Sequence, residues 1–355
     1  MDGGDYKMKK TEYDYIIIGG GVAGLCAAIH LGELGVRSLI IEAGEYPAQK
    51  VCGEFLSPEA LPILRRWGIC PVEIEEAVFH VGNDALRYHF PSPAGGLSHL
   101  VLDPELVKRA EKATFLTNTR VLHFEPGLAG HRLELSNGTT LHVPNVIIAT
   151  GRLPYLSQQP PKLPYRGIKA HFAHVETRGA LNMFFFEKGY LGISPIEEGK
   201  CNVAALVRAE TWEQWNRSGN GVEALLNTHP QIKALLSKGT LLFADWMTTP
   251  APAFGMKHPP DWPHVYFVGD AAATIPPVTG NGLTLAIKSG MLAAEYAVRR
   301  DFQGFKKRWR QENRRLLFWG QVLHAAALHS SGQRAVCYLG RCFPSLLHPL
   351  YYLTR

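Results

Sequence analysis

Three glycines, Gly19, Gly21 and Gly24, stand in the spacing G-x-G-x-x-G inside YDYIIIGGGVAGLCAAIHLGELGVRSLIIE, residues 13 to 42. That spacing suits one task, cradling the phosphates of a dinucleotide on backbone N–H groups. Gly19 permits the tight turn, Gly21 lets the backbone approach a pyrophosphate, and Gly24 lets a helix pack closely on the preceding strand. The free N–H groups of Val22 and Ala23, at the positive end of the helix dipole, then face the phosphates. Glu42, with Ala43 beside it, follows about 20 residues on, where a carboxylate accepts ribose hydroxyls. An acid at that point disfavours a 2′-phosphate, so NADP is a poor occupant and FAD or NAD remain.

A second constellation lies in HVYFVGDAAATIPPVTGNGLTLAIKSGMLAAEYAVRR, residues 264 to 300. Asp270, after Gly269, can take a ribityl hydroxyl. Gly280, Asn281 and Gly282 bring backbone N–H groups to a helix start, where they stabilise negative charge on a reduced flavin ring. With both constellations present, FAD becomes the expected ligand, bound non-covalently. Cys52-Gly53 sits on the loop after the second strand, which returns toward the cofactor. Cys52 is therefore a candidate flavin neighbour and catalytic group, with a buried, inert cysteine as the alternative. Val121 and the Ala149-Thr150-Gly151 turn complete the expected cofactor-binding set. No metal cluster and no Ser-His-Asp set can be assembled.

These residues need a framework to hold them. Asp14 to Ile18 and Val36 to Ile41 read as buried parallel strands, Asn145 to Gly151 as a third and Val265 to Val268 as a fourth. Ser57, Pro58 and Glu59 open a helix running to Trp67, and Asp103 with Pro104 at the first helical position opens another. Residues 77 to 102 suggest a hairpin. Strands at Thr119 to Glu125, Arg132 to Leu135 and Thr139 to Val143 follow, then a proline-rich crossing from Pro154. KAHFAHVE and ALNMFFFEKGYLGISPIEEGKCNVAALVR predict an antiparallel sheet with a hairpin at Glu197 to Lys200. Its Phe184-Phe185-Phe186 stripe and Tyr190 are core, or one wall of an apolar substrate pocket. Phe185, Tyr190, Pro276 and Pro277 are the expected pocket residues. Residues 209 to 239 are helical in character.

The expected fold is α/β, with a Rossmann-like FAD-binding domain, an inserted antiparallel substrate sheet and a helical C-terminal segment. The expected nucleotide domain is discontinuous, at 13–80, 99–153 and 261–300. Residues 81–98 and 154–260 form the substrate domain, 301–355 the helical segment and 1–12 a disordered lead. The 355 residues can hold a large core. No run of about 18 apolar residues is present, and MDGGDYKMKKTEY lacks the apolar segment of a signal peptide, so no export is expected. Six scattered cysteines without a C-x-x-C pair fit reduced thiols in a cytoplasm. The net charge is +6, yet residues 299 to 355 hold eleven Lys or Arg against Asp301 and Glu312. That basic, aromatic-rich segment is either a helical pair with a solvated basic face or a peripheral contact with an anionic membrane. No motif supports nucleic-acid binding.

Taken together, GGGVAGLCAAIHLGELG, IIE, GDAA, PPVTGNGL and the hydrophobic sheet between them resemble FAD-dependent oxidoreductases of the para-hydroxybenzoate hydroxylase superfamily. Their nucleotide domain is of the glutathione reductase type. Cys52-Gly53 and GYLGISPIEEGKCNVAAL, at 189 to 206, are similar to the geranylgeranyl reductase-like branch. The resemblance spans about residues 13 to 300 and implies reduction by NAD(P)H or another donor, then action on a prenyl or polyketide-like substrate. IIATGRLP carries Ala149-Thr150-Gly151 where the aromatic hydroxylases have an Asp-Gly motif, and His99 stands where they often have arginine. GYLGISP lacks the tryptophan pair of flavin-dependent halogenases. Hydride transfer to a carbon-carbon double bond is thus the leading expectation and a flavin monooxygenase the alternative. A non-catalytic prenyl-binding escort is third.

Overall fold

The computed structural model describes residues 13–152 and 162–355, so the expected lead at 1–12 and most of the proline-rich crossing lie outside the described residues. Five parallel strands form one sheet, in the order Val265–Phe267, Val146–Ile148, Tyr15–Ile18, Ser38–Ile41 and Ala113–Leu116. Tyr15–Ile18 and Ser38–Ile41 are buried at every position, as strands covered on both faces must be. Ile17, Ile40 and Ile147 pack on the helix Val22–Glu33. Ile16, Ile18, Leu39 and Ile41 face Phe124 and Leu133 of a three-stranded sheet, Val121–Glu125, His131–Leu135 and Thr140–Val143. Each fully buried isoleucine contributes about 1.5–3 kcal/mol.

The helix Gly282–Val298 lies against Val22–Glu33 with little room between them, because a Cβ on Gly290 would run into the Ala23 carbonyl oxygen. The start of the second constellation is thereby fixed beside the first, some 250 residues earlier in the chain.

The second large sheet has nine strands. Its centre is Tyr165–Ala173, Cys201–Arg208, Gly189–Pro195, Leu181–Phe186, Val72–Val81 and Asp84–Gly96. Leu181–Phe186 runs parallel to Val72–Val81, and the other pairs are antiparallel. The expected hairpin at Glu197 to Lys200 is present as a short 3-10 turn, Glu197–Gly199. The expected boundary after residue 80 needs correcting. Val72–Val81 is a full member of this second sheet, since its pairing with Leu181–Phe186 outranks its closeness in sequence to the nucleotide strands.

A second correction concerns the helix expected to start at Asp103. It spans His99–Arg109, with Ser98 ahead of it and Pro104 inside it. Its first amides are capped from elsewhere in the fold: His99 N–H donates to Glu54 Oε1 (2.8 Å) and Ser98 N–H to Glu197 Oε2 (2.9 Å). Those carboxylates lie 45 and 99 residues away, so no local signal announces them. Pro104 leaves the Leu100 carbonyl without its helical donor, and Leu100 is exposed, so water can satisfy it.

The C-terminal segment is helical, at Phe302–Ala327, Ser330–Cys342 and Leu347–Leu353. Phe305, Trp309, Leu316 and Leu317 recur at helical spacing and join the nucleotide core. Farther along the same helix, Ala327 joins Met183 and Tyr190 of the second sheet. One helix therefore braces both layers.

Candidate active site

The glycine turn is built around steric exclusion. Gly19 has φ +101°, and a Cβ on it would strike the Ala149 carbonyl oxygen. A Cβ on Gly24 would strike the Gly19 oxygen. Gly21 differs: its φ is −75°, and the nearest atom to a Cβ is Lys50 Nζ at 3.8 Å. The protein leaves that space open. Gly21 is also the residue before the helix, and no side chain caps the helix there. Free N–H groups beside open space fit a pyrophosphate.

Glu42, just past the strand Ser38–Ile41, accepts from Gly20 N–H on one carboxylate oxygen (2.6 Å) and from Gly44 N–H on the other (2.9 Å), while Tyr46 Oη donates to the Gly20 carbonyl (2.6 Å). Ala43 is exposed beside it. Val22 and Ala23 are buried at the helix start. Ala149 is buried and Thr150 and Gly151 half-buried, with Ala149 and Thr150 packed on the Gly19 turn. The Val121 side chain is committed to the apolar core with Phe124 and Leu133, which leaves only its backbone for a ligand.

At the second constellation, Gly269 has φ +56° and presses on Ala23, while Asp270 Oδ2 lies 3.9 Å from Arg152 Nε. Gly280 has φ +67°, and its Cβ position falls 2.7 Å from the Phe55 ring. Asn281 precedes the helix without capping it, because its amide donates to the Thr354 carbonyl (2.6 Å) instead. Gly282 is exposed at the helix start. The two helix starts without a side-chain cap, one preceded by Gly21 and the other opening on Gly282, fit the two halves of FAD.

The Gly280–Phe55 contact brings the Cys52-Gly53 loop to the helix start, and the two together line a cavity of about 280 Å³. Its remaining walls are mainly apolar, among them Phe79, Met183, Phe185 and Tyr190 from the sheet and Pro277 from the turn. Pro276 is a correction: it is buried against Gly320 of the long helix and does not line the cavity. The sequence did not announce the roof, in which Leu323, Val336, Cys337, Leu347 and Tyr351 of the C-terminal helices close over the cavity.

Cys52 leads into a chain of polar groups. Its thiol is electrostatically coupled to His99, His99 Nδ1 meets Asp103 Oδ1 at 2.9 Å, and Asp103 Oδ2 accepts from Lys50 Nζ at 2.6 Å. Burial alone would pull the imidazole down, but Asp103 and Cys52 outweigh it and hold His99 up at about 9. Burial likewise pushes against the Cys52 thiolate, and hydrogen bonding and charge from His99 bring the thiol net below its ordinary value. Asp103 is held below the usual carboxylate range, its burial outweighed by His99 and Lys50. At neutral pH His99 therefore carries its proton beside the Cys52 thiol.

Beneath this chain, Glu54 accepts from Lys169 Nζ (2.6 Å) and pairs with His171 Nε2 (2.6 Å). Lys50, Glu54, Asp103, Lys169 and His171 had no place among the sequence candidates. Their one visible signal was Lys169-x-His171, polar residues two apart in an apolar strand and so on the same face. Among the described residues no cluster could hold a metal ion.

The profile of the pyridine nucleotide-disulphide oxidoreductase family matches residues 13–183. A menaquinone reductase of Mycolicibacterium smegmatis is 22% identical over 348 residues, covering 84% of this chain and 80% of that protein. Digeranylgeranylglycerophospholipid reductase 2 of Methanopyrus kandleri is 26% identical over 314 residues, covering 81% and 77%. Among solved structures, the flavin-dependent brominase Bmp2 superposes with a TM-score of 0.81 at 16% identity, over 96% of this chain and 93% of its own. A likeness at that identity concerns the fold alone.

Proposed function

We propose that this FAD-dependent oxidoreductase reduces carbon-carbon double bonds in the prenyl part of a hydrophobic substrate. One observation carries the proposal: a single cavity is lined by Cys52, Gly53 and Gly280 at the expected ring site and by apolar side chains elsewhere. Two relatives named as reductases of a prenylated quinone and a prenyl lipid support it.

FAD, when bound and reduced by NAD(P)H or another donor, supplies the hydride. Gly21 and Gly282 open the backbone to it, Glu42 and Asp270 present acceptors to its hydroxyls, and the Phe79, Phe185 and Tyr190 walls hold an alkene while excluding water. Reduction also needs a proton on the second carbon. Cys52 borders the cavity and delivers it, His99 replaces it, and Asp103 keeps His99 charged. Incubation with a polyprenyl quinone, a geranylgeranyl lipid and a simple phenol tests the proposal by product mass. Two added hydrogens on a prenyl chain support it, and an added oxygen on the phenol alone refutes it.

This arrangement gives the activity an alkaline limit. The His99 proton is present below its raised value and lost above it, so the rate falls as pH rises through about 9. Asp103→Asn removes the carboxylate that raises His99, and the alkaline limb of kcat then moves down by about one pH unit or more. A limb that stays in place would separate the rate from His99.

The roof has an outer face. Tyr338, Leu339, Phe343, Leu346 and Tyr352 are exposed there, with Arg334 and Arg341 among them. Among the described residues no helix is long and apolar enough to cross a membrane. An apolar, basic surface on the cavity roof supports peripheral contact with an anionic bilayer, from which a lipid substrate would be drawn. Tyr338→Asp with Phe343→Asp lowers co-sedimentation with anionic vesicles about tenfold if that contact exists. Equal sedimentation of wild type and variant would argue against it.

A further inference from the structure

The loop that carries Cys52 leaves the nucleotide sheet, yet side chains of the other sheet hold it. Lys169 Nζ uses its three protons on Gln49 Oε1 (2.9 Å), the Lys50 carbonyl (2.9 Å) and Glu54 Oε1 (2.6 Å). Asn202, on the neighbouring strand, donates its amide to the Cys52 carbonyl (3.0 Å). Glu54 collects the rest: Lys169 and the His99 amide on one oxygen, His171 on the other, and its own N–H reaches Cys52 Sγ at 3.4 Å. Lys169 and Glu54 are both fully buried, and Glu54 sits at φ +53°, a conformation that a non-glycine residue keeps only when its surroundings impose it.

A buried ion pair of this kind is a poor source of stability, because desolvation offsets its Coulomb attraction and an apolar pair often serves as well. It is a good source of geometry. The Lys169 ammonium and both Glu54 carboxylate oxygens have partners, and the cluster touches both members of the proton-carrying pair, the Cys52 thiol through the Glu54 amide and the His99 main chain through the Glu54 carboxylate.

We infer that Glu54, paired with Lys169 and hydrogen-bonded to His171, is a positioning residue that sets the Cys52 thiol against His99 and fixes the charge around it. This rests on Cys52 as the proton-delivering group, but it makes a claim of its own about thiol ionisation. The charged or titratable groups around the thiol are His99 and Asp103 on one helix, Lys50 and Glu54 on the loop, and Lys169 and His171 on the strand. Removing Lys169 alone leaves the Glu54 carboxylate under-compensated and disfavours the thiolate. Removing both charges restores the balance.

The test is the pH dependence of iodoacetamide alkylation at Cys52 in the holoenzyme, with the exposed Cys70 and Cys342 replaced by serine in every variant. In Lys169→Met the alkylation midpoint is expected to rise by about one pH unit, and kcat to fall at least tenfold with KM changed less than threefold. In Lys169→Met with Glu54→Gln the midpoint returns to within a few tenths of a pH unit of wild type. A role confined to packing would not produce that return. His171→Gln, which keeps a donor toward Glu54, gives a smaller rise in the same direction and serves if Lys169→Met does not fold. Midpoints unmoved in all three variants, or a double variant no better than the single one, would overturn the inference even if Cys52→Ala is inactive. Midpoints that move as expected while kcat does not would uphold the positioning of the thiol and instead refute its part in turnover.

Discussion

Gly21→Asp gives a protein that folds and does not hold FAD. Gly21 already has backbone angles that any residue adopts, and a Cβ there meets nothing nearer than Lys50 Nζ at 3.8 Å. Aspartate is a preferred residue immediately before a helix, and this helix has no side-chain cap, so apo-protein stability holds or rises by about 0.5 kcal/mol. The same carboxylate would occupy the space proposed for a pyrophosphate and repel it. FAD affinity then falls at least about 100-fold, roughly 2.7 kcal/mol, and the visible flavin absorbance is lost on gel filtration while the far-UV circular dichroism is kept. Gly24→Ala is the contrasting variant: its Cβ runs into the Gly19 carbonyl, so it loses fold stability as well as cofactor. A yellow Gly21→Asp protein would show that the phosphates lie elsewhere.

Cys52→Ala separates cofactor from turnover. Cys52 borders the cavity without supporting the glycine cradle, so FAD content and the rate of flavin reduction by the donor should match wild type. The step that consumes a proton slows by about 10²–10⁴-fold, the range for loss of a general acid. The alkaline limb assigned to His99 disappears with it, since the imidazole has lost its outlet to the cavity. Stopped-flow traces of the reductive and oxidative half-reactions check both halves. Equal slowing of the two would identify Cys52 as a residue of cofactor binding.

What the sequence made legible was what local chemistry encodes. The buried strands, the glycine turn, the acid after the second strand and the late GDAA and GNGL motifs all depend on neighbours a few residues away, and the α/β fold could be read from them. Cys52 stood out because it shares a loop with Gly53 after the second strand. Glu54, only two residues on, did not, because its meaning comes from Lys169 and His171 more than 110 residues later. Asp103 was read as a helix cap for the same reason: the carboxylates that start that helix come from Glu54 and Glu197. The C-terminal helices showed their basic face in the sequence and hid their inner one, since Val336, Cys337 and Leu347 roof a cavity whose floor lies far earlier in the chain.

Hydride and proton transfer to a prenyl double bond can be followed in a single turnover without oxygen. Holoenzyme is reduced anaerobically, mixed with one equivalent of polyprenyl quinone bearing an unsaturated chain, and followed by flavin absorbance and product mass. Oxidised flavin is expected to return in step with a product carrying two more hydrogens on the chain, with no oxygen admitted. If the flavin stays reduced until oxygen enters, and the product then carries one more oxygen atom, the enzyme is a monooxygenase and not a reductase of prenyl double bonds.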